Sequence, residues 1–393
     1  MSIEAVDSRA RGLRGRREVE AAGFGLVSRL DWLLLAALAG VTLYGLYAID
    51  GITRHDAGGS AMPRQAFYVG VGAVMFAAAL VIDPARYGRI HRQLYFLLNG
   101  LLLAVLVLGA ASHGATRWVD IGFFQFQPSE FGEILFVLAL AGFVVDRGRP
   151  ATDVLTPARA IGYALVPIML VFVQPDFGTA LVYVAALAGV LLVAGVRWLH
   201  LGILLAVTVV GALAILWLLP AAGMNVLKPY QTARLTGFTH PSNDPRGATY
   251  NLRQSIITVG AGGLRGRGVL GATQTALDYL PSHSTDFAFA SLAEEHGFFG
   301  ASILLLLYLL VVWRALKVIT VARDLYSAVI AGGIAFMFLF EVFINTAMTM
   351  GIAPITGIPL PFVSIGGSSM IENFIAIGIL QAIYMRRTVR RRR

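Results

Sequence analysis

Residues 177–220 decide the class of this protein. They read FGTALVYVAALAGVLLVAGV, then Arg197 and Trp198, then LHLGILLAVTVVGALAILWLLP. Arg197 is the only residue in this stretch with a full charge at neutral pH. A helix needs roughly 20 mostly apolar residues to cross the hydrocarbon core of a bilayer. The stretch is therefore long enough for two membrane helices joined by a short basic turn.

The same pattern recurs along the 393-residue chain, which is 57% hydrophobic and only 13% charged. Soluble domains carry about 25% charged residues, so this chain lacks the polar surface that a soluble globule needs. The absence of cysteine excludes disulfides, thiol catalysis and zinc–thiolate sites. We predict an all-α polytopic membrane protein with ten transmembrane helices, near 30–50, 65–82, 94–111, 131–146, 160–174, 177–196, 199–220, 287–313, 325–347 and 366–385.

The distribution of Lys and Arg predicts the orientation of these helices. Ten spans place both termini on one side, and 22 of the 31 basic residues fall on that side. Loops rich in Lys and Arg stay in the cytoplasm. Both termini are therefore predicted to be cytoplasmic.

Three segments follow from this topology. Residues 1–28 form a basic cytoplasmic arm, 29–385 the ten-helix membrane domain, and 386–393 a basic tail. A large extracytoplasmic loop, about 221–286, joins helices 7 and 8. Within it, residues 250–260 (YNLRQSIITVG) have an amphipathic pattern. That helix is predicted either to lie in the membrane interface or to form a lid on the bundle.

The net charge of +9 does not indicate a nucleic-acid partner, because it is concentrated beside the membrane spans. Such basic segments attract anionic membrane lipids, although a plain topology signal explains them equally well. Three other motifs are weak. Residues 260–268 (GAGGLRGRG) lack the lysine of a nucleotide-binding loop, the histidines lack zinc spacing, and 364–369 (SIGGSS) lacks a nucleophile elbow. The small residues of 364–369 suit close helix packing or the approach of backbone to a headgroup.

Acidic residues near the outer face carry the most functional information, because ionisable groups at membrane depth are costly and usually functional. With arginines on the same side, they predict a site that handles an anionic substrate and moves a proton. Structural ion pairs that fix loops are the alternative. The acids are Asp120, Glu130, Glu133, Asp176, Asp278, Asp286, Glu294 and Glu295.

Several motifs occur in the order found in one family. They are QPSE at 127–130, QPDFGTA at 174–180, YLPSHSTDF at 279–287 and PITGIPLPFVSIGGSS at 354–369. With these, the chain resembles the SEDS family (shape, elongation, division and sporulation) from about residue 30 to 385. The wording of ITGIPLPF resembles the RodA branch more than the FtsW branch.

This resemblance implies a peptidoglycan glycosyltransferase that polymerises lipid II with a class B penicillin-binding protein as partner. It implies ten membrane helices, as the residue count does independently. It also implies an essential aspartate at Asp286 and functional motifs at Arg117 and Asp176.

The chemistry of the reaction extends these assignments to a set of site residues. Asp286, flanked by apolar residues, is predicted to be the base; a metal ligand or a helix cap are its alternatives. Arg117 and Arg234 are predicted to grip the pyrophosphate, with Arg246 and Arg253 behind them. Asp176 and Glu130 would orient those arginines or share a divalent cation (Mg or Mn). The substrate-binding set is completed by Glu133, Gln174, Thr285 and Ser368.

Three positions depart from the family pattern. Glu133 stands where members commonly have lysine, which reverses the local charge. Ile365 replaces a usual tyrosine, and Ser282 replaces a common glutamate.

Two rival functions stand beside the enzyme: a flippase for the lipid-linked precursor, and a non-catalytic scaffold for the penicillin-binding protein. The acids gather toward one face, whereas a transporter places ionisable groups near the midplane, so we favour the enzyme.

Overall fold

A computed structural model describes residues 29–56, 58–108, 110–112, 115–120, 125–147, 155–214, 218, 220 and 249–387. The N-terminal arm, residues 221–248 of the long loop and the last six residues of the tail lie outside these ranges. Thirteen helices and three strands follow one another along the described chain. In order they are α1 (Trp32–Ile52), α2 (Met62–Val81), α3 (Pro84–Arg89), α4 (His91–Leu108), β1 (Ala110–Ser112), β2 (Ala115–Asp120), β3 (Gln125–Phe126), α5 (Pro128–Asp146), α6 (Leu155–Val173), α7 (Phe177–Val193), α8 (Trp198–Leu213), α9 (Tyr250–Gly262), α10 (Thr273–Ala276), α11 (Ala288–Val321), α12 (Leu325–Thr349) and α13 (Gly367–Met385).

Each predicted span contains a helix. Seven of them, α1, α2, α5, α6, α11, α12 and α13, are long and apolar enough to cross a membrane by length and composition. The other three, α4, α7 and α8, are shorter apolar helices. Pro167 lies inside α6 without ending it. The eighth predicted span continues past residue 313 to Val321.

A small antiparallel sheet lies between α4 and α5 in the otherwise helical chain. β1 pairs with β2, and β2 pairs with β3, in the order β1-β2-β3. The three strands contain six residues or fewer, which is too short for periodicity in the sequence to reveal them.

Side chains of aspartate start several helices. Asp31, Asp176 and Asp324 each accept a hydrogen bond from a backbone N–H in the first turn of α1, α7 and α12. Such caps satisfy backbone donors that have no partner inside the helix. The boundaries of these helices are thus fixed by local chemistry as well as by hydropathy.

The helices pack tightly enough to fix their order. α2 lies along α13, α7 along α12, and α11 along both α1 and α12. Where α7 meets α12, a Cβ on Gly189 would lie 2.7 Å from the carbonyl oxygen of Gly332. Glycine is required there because the two backbones approach each other directly. Exposed apolar side chains, such as Leu199 and Val207 of α8, cover the outside of the bundle.

One end of the bundle, called here the terminal end, is defined by contacts among helix ends. Arg386 donates to the carbonyls of Leu80 and Val81, and Arg387 donates to the carbonyl of Arg29. Arg323 pairs with Asp83 at 3.2 Å. The start of α1, the end of α2 and the end of α13 therefore lie together. The first two arginines of the tail cap helix carbonyls, a role that the sequence did not reveal.

Helix α11 is broken at Gly297, where the backbone has φ 66° and ψ −165°. The glycine-rich loop after α9 fills the break. The amides of Phe298 and Phe299 donate to the carbonyls of Gly263 and Leu264, at 2.9 and 3.2 Å. In turn, two loop amides donate to the carbonyls that precede the break: Arg267 to Glu294 and Gly268 to Glu295, both at 2.9 Å. The GAGGLRGRG stretch thus completes the backbone hydrogen bonds of a membrane helix.

Candidate active site

The opposite end of the bundle holds the predicted base in a backbone clamp. The hydroxyl of Ser364 donates to the carbonyl of Thr285 at 2.6 Å, and the amide of Ile365 donates to that of Ser284 at 3.0 Å. The side-chain amide of Asn345 donates to the carbonyl of Asp286 at 3.0 Å. Three consecutive carbonyls are therefore held by groups from α12 and from the segment before α13.

The clamp is itself anchored in the membrane helices. Asn345 is fully buried, and its amide also donates to the carbonyl of Ile358 at 2.8 Å. The amide of Gln65, fully buried in α2, donates to the carbonyl of Ser364 at 2.9 Å. Buried amides with such partners fix backbone position, because losing one partner leaves a polar group unsatisfied in an apolar surrounding.

Asp286 lies at the border between this buried clamp and open space. The residue is half-buried, whereas Phe287 and Phe289 are almost completely buried. Helix α11 begins at Ala288, and Phe287 occupies its N-cap position. Asp286 thus precedes the capping position, which counts against the helix-cap alternative.

The helix at 250–260 is confirmed as α9 and lies as a lid against α11 and α12. Leu252 packs with Leu280, Phe287, Ala290 and Ile355 in one buried cluster. The hydroxyl of Ser255 donates to the carbonyl of Thr349 at 2.8 Å. The lid therefore covers the residue that follows Asp286, while Arg253 lies on its exposed face.

A second network joins three of the predicted motifs. The side-chain amide of Gln127 donates to Asp176 at 3.0 Å, and the hydroxyl of Ser129 donates to the same oxygen at 3.2 Å. The backbone amide of Gln127 donates to the hydroxyl of Ser368 at 2.9 Å. Ser368 donates in turn to the carbonyl of Gln125 at 3.2 Å. The starts of α5, α7 and α13 are thereby locked together.

Glu130 connects the two networks. Its carboxylate accepts a hydrogen bond from the backbone N–H of Ser369 and interacts electrostatically with Asp176, Glu341 and Asp286. The side chain is partly exposed. Glu130 and Asp286 therefore face a common region at this end, which we call the site end.

Glu133 lies deeper than its neighbour in the sequence. It is 5% exposed and makes a side-chain hydrogen bond with Glu341 of α12, with Glu372 of α13 close enough for electrostatic interaction. A hydrogen bond between two carboxyl groups needs a proton between them. No basic residue in the described part of the chain forms an ion pair with any of the three. The sequence predicts that Glu133 contacts substrate near the outer face. In the structure its side chain lies inside the bundle.

The remaining predicted residues have separate places. The side-chain amide of Gln174 donates to the carbonyl of Leu102 in α4, at 2.8 Å, and this bond does not involve the clamp around Asp286. The carboxylate of Glu294 accepts the amides of Gln274 and Thr275, so it fixes a loop. The strand β2 carries Arg117, whose side chain lies outside the described part. Arg234 and Arg246 are also outside it.

Four buried polar residues of the site were missed from the sequence: Asn345, Gln65, Ser364 and Glu341. Asn345 and Glu341 stand alone in a strongly apolar span, and that isolation is the signal that could have found them. Their partners lie far away in the sequence, so only the packed structure shows what they hold.

A divalent cation has no evident ligand set among the residues described. No group of three or more His, Asp or Glu side chains in that part of the chain is arranged to hold a metal ion. Asp176, a predicted sharing ligand, is engaged with Gln127, Ser129 and the amide of Thr179. The described residues thus do not fit a metal site.

Comparisons with known proteins show which family the chain belongs to. The model of the FtsW/RodA/SpoVE family, described as "Cell cycle protein", matches residues 27–389. Peptidoglycan glycosyltransferase MrdB of Escherichia coli K12 is 37% identical over 364 residues, covering 91% of this chain and 94% of that protein. Stage V sporulation protein E of Bacillus subtilis is 32% identical, covering 88% and 93%.

Solved structures give the same result. A chain from a complex described as "Structural coordination of polymerization and crosslinking by a peptidoglycan synthase complex" has a TM-score of 0.76 and 30% identity, covering 90% of this chain and 97% of that one. Rod shape determining protein RodA of Thermus thermophilus has a TM-score of 0.66 and 27% identity, covering 91% and 97%. With a family model that spans nearly its whole length, the chain belongs to the FtsW/RodA/SpoVE family.

Proposed function

We propose that this protein is a peptidoglycan glycosyltransferase that polymerises lipid II into β-1,4 glycan strands for cell elongation and shape. The observation that carries the proposal is the clamp at residues 284–286, which holds Asp286 half-buried at the open site end. The relatives named peptidoglycan glycosyltransferase support the same reaction class.

In this reaction, Asp286 takes the proton from the C4 hydroxyl of one lipid-linked disaccharide. The oxygen then bonds to the anomeric carbon of the other chain, and the bond from that carbon to the lipid pyrophosphate breaks. Attack from the opposite face converts the α-linked donor into a β linkage. A carboxylate held in a fixed position beside apolar side chains is suited to this proton transfer.

The leaving pyrophosphate needs cations, which would stabilise the charge that develops on it. Arg117 and Arg234 are proposed for this task, with Arg246 and Arg253 in support. Glu130, whose carboxylate accepts the N–H of Ser369 and interacts electrostatically with Asp286, is proposed to orient these arginines. Asp176, Thr285 and Ser368 position the backbone of the site.

Ten transmembrane helices with both termini in the cytoplasm would place the site end outside the cytoplasmic membrane, where lipid II is polymerised. Two observations support this orientation: the basic residues gather on one side, and the helix ends that carry Arg29, Asp83 and Arg386 lie together. The long loop, only partly described, would lie outside.

The partner is proposed to be a class B penicillin-binding protein that crosslinks the new strands. A solved synthase complex that coordinates polymerization and crosslinking contains a chain of this fold, which supports the assignment. Anionic lipids and lipid II itself are the other proposed partners.

A lipid II polymerisation gel tests the proposal with purified protein and its cognate penicillin-binding protein. Asp286→Asn keeps size and shape but cannot accept a proton, so glycan ladders are expected to vanish. Asp278→Asn is the matched control, since Asp278 lies in the same loop and its side chain is 78% exposed. Ladders of equal intensity from Asp286→Asn would remove Asp286 from the role of base.

The same gel separates the rival functions. A folded wild-type complex that forms no ladders, with or without Mg²⁺ or Mn²⁺, would favour a flippase or a scaffold. Adding either cation to EDTA-treated protein also tests whether polymerisation depends on a divalent cation.

A further inference from the structure

Two adjoining cavities open at the terminal end, away from the site described above. Their volumes are about 590 and 450 Å³, and both are lined by His91, Arg92 and Asp146. The first extends to Arg89, and the second extends to Arg147. Volumes of roughly 300–1,000 Å³ are typical of sites for small molecules.

The arginines of these cavities have unused hydrogen-bond donors. Arg89, Arg92 and Arg147 form no ion pair or side-chain hydrogen bond with other residues in the described ranges. Arg147 only stacks on the ring of Phe143, at 4.3 Å from its centroid. A guanidinium group with free donors binds phosphate through two parallel hydrogen bonds.

The two carboxylates that line the cavities are already engaged. Asp146 lies 3.5 Å from the Nε2 atom of His91. Asp324 accepts the amide of Ser327 at 2.8 Å and pairs with Arg323 at 3.0 Å. The guanidinium groups of Arg89, Arg92 and Arg147 therefore leave this region with an excess of positive charge.

The walls of the cavities are preformed. The rings of Tyr95 and Tyr163 stack at 3.8 Å, and those of Phe143 and Tyr163 stack at 4.2 Å. A Cβ on Gly142 would lie 2.4 Å from the Cβ of His91, so glycine lets the start of α4 seat against α5. Aromatic stacking and a close helix contact thus fix the walls, and the exposed Arg89, Arg92 and Arg147 stand around them.

One edge of the second cavity faces the apolar outside of the bundle. Phe96, which lines it, is 73% exposed and points away from the core. On the same helix, Leu97 and Leu103 are about half exposed. A ligand with a phosphate head and an apolar tail would therefore meet arginines at one end and a hydrocarbon-facing surface at the other.

We propose that these cavities form a binding site for a phosphate group, carried by an anionic phospholipid of the membrane leaflet at the terminal end. Basic pockets between membrane helices bind such headgroups. The arginine donors would hold the phosphate oxygens, and the acyl chains would lie along α4 beside Phe96. A soluble phosphate has the same headgroup chemistry, and the experiment separates the two sources.

Binding is measured by native mass spectrometry of the purified chain in detergent, titrated with phosphatidylglycerol, cardiolipin or zwitterionic phosphatidylcholine. The double variant Arg92→Gln/Arg147→Gln is expected to weaken binding of both anionic lipids by about tenfold or more, because it removes two phosphate contacts. Its control, Arg86→Gln/Arg159→Gln, removes the same charge from exposed residues that line neither cavity. This control should bind like the wild type.

A third variant guards against misfolding as an explanation. Asp146→Asn removes a negative charge from the cavities, and Asp146 is 56% exposed, so binding should tighten. Equal loss in both double variants would mean diffuse surface attraction and overturn the site, and so would no loss in either. Unchanged or weaker binding in Asp146→Asn would also count against it.

Inorganic phosphate distinguishes the source of the ligand. If a hundredfold excess over the lipid fails to displace it, the site takes a lipid headgroup. If phosphate at a concentration equal to that of the lipid displaces the lipid from the wild type but not from Arg92→Gln/Arg147→Gln, the phosphate site is supported. Its ligand is then a soluble phosphate. None of these readouts needs polymerase activity, so a negative result leaves the proposed function standing.

Discussion

The side-chain amide of Asn345 lies 3.0 Å from the carbonyl oxygen of Asp286, although 59 positions separate the two residues. The same amide reaches the carbonyl of Ile358 at 2.8 Å. One buried side chain thus fixes the distance between the proposed base and the segment that leads into α13. The position of the carboxylate is set by a helix in the membrane.

Replacing Asn345 with leucine keeps a similar volume but removes both donors. Two buried carbonyls would lose their partner, which costs about 1–3 kcal/mol for each group left unsatisfied. We expect turnover of lipid II to fall about tenfold or more, because displacement of a reacting group by 1 Å is enough for such a loss. The apparent KM should change less than kcat, since no substrate contact is removed.

Asn99→Leu is the matched control. The side-chain amide of Asn99 donates to the carbonyl of Tyr95 and interacts with the side chain of the same residue, so its contacts stay within one helix turn. If both variants lowered kcat alike, Asn345 would have a general structural role and no specific effect on Asp286.

Ser368 receives the backbone amide of Gln127 at 2.9 Å. In Ser368→Ala this buried N–H loses its acceptor, and the free energy of unfolding should fall by about 1–3 kcal/mol. Polymerisation should fall as well, since α5 and α13 are joined there. Thermal unfolding in detergent measures the first effect. Ser369→Ala is the comparison. It retains the backbone N–H that serves Glu130, and Asn373, which loses its 3.3 Å bond to the hydroxyl, keeps its 2.7 Å bond to the carbonyl of the same residue.

Glu133 and Glu341 share a hydrogen bond inside the bundle. Glutamine at position 133 can donate to Glu341, so Glu133→Gln should stay within about 1 kcal/mol of the wild type. Glu133→Ala loses the bond and leaves a cavity, and should cost about 2–4 kcal/mol. Thermal unfolding of the variants in one detergent makes the comparison. Equal losses would show that the bond contributes nothing.

Lysine at position 133 restores the residue common in the family. Its ammonium group would meet Glu341 and Glu372 and form a buried ion pair. We therefore expect Glu133→Lys to fold and to be at least as stable as Glu133→Ala. Higher polymerisation by this variant would show that the family arrangement still fits this site, whereas an inactive but folded variant would give Glu133 a task of its own.

Asp324 caps α12 at the terminal end. Burial raises the pKa of its carboxyl, but the amide and hydroxyl of Ser327 and the guanidinium of Arg323 outweigh burial and hold the pKa below its ordinary value. A lowered pKa stabilises the folded state at pH values above the ordinary pKa of the group, which is near 4. This stabilisation is lost as the pH falls through the pKa of the folded state. Asp324→Ala should therefore lower Tm at pH 7, because loss of an N-cap costs about 0.5–2 kcal/mol. The difference in Tm between the variant and the wild type should shrink near pH 3. A constant difference would contradict it.

The spans could be predicted from the sequence because hydropathy is a local property. Helix α11 continues beyond residue 313, the predicted end of the eighth span, to Val321, and this extension carries Lys317. The strands near Arg117 were missed because they are too short to show periodicity. Glu133 was predicted to lie near the outer face, but it is buried. It is only three positions from Glu130, and that spacing does not show that its side chain meets Glu341 of another helix.

The site was predictable where motifs adjoin Asp286 and Asp176, because those residues stand out against apolar spans. Its supports were not, because Gln65 and Ser364 lie 299 positions apart and meet only in the packed bundle. The resemblance to the family supplied the reaction, which composition and spacing alone would not have given.

The break in α11 lets backbone hydrogen bonds connect the lid helix α9 to the helical segment that follows the proposed base. The short helical piece from Ala288 to His296 is attached to the loop that follows α9 by backbone hydrogen bonds on both sides of Gly297. Movement of α9 is therefore transmitted along that piece to Asp286 at its start, and through Phe298 and Phe299 to the rest of α11. A protein that grips the lid from outside would have a lever on the chemistry without entering the bilayer.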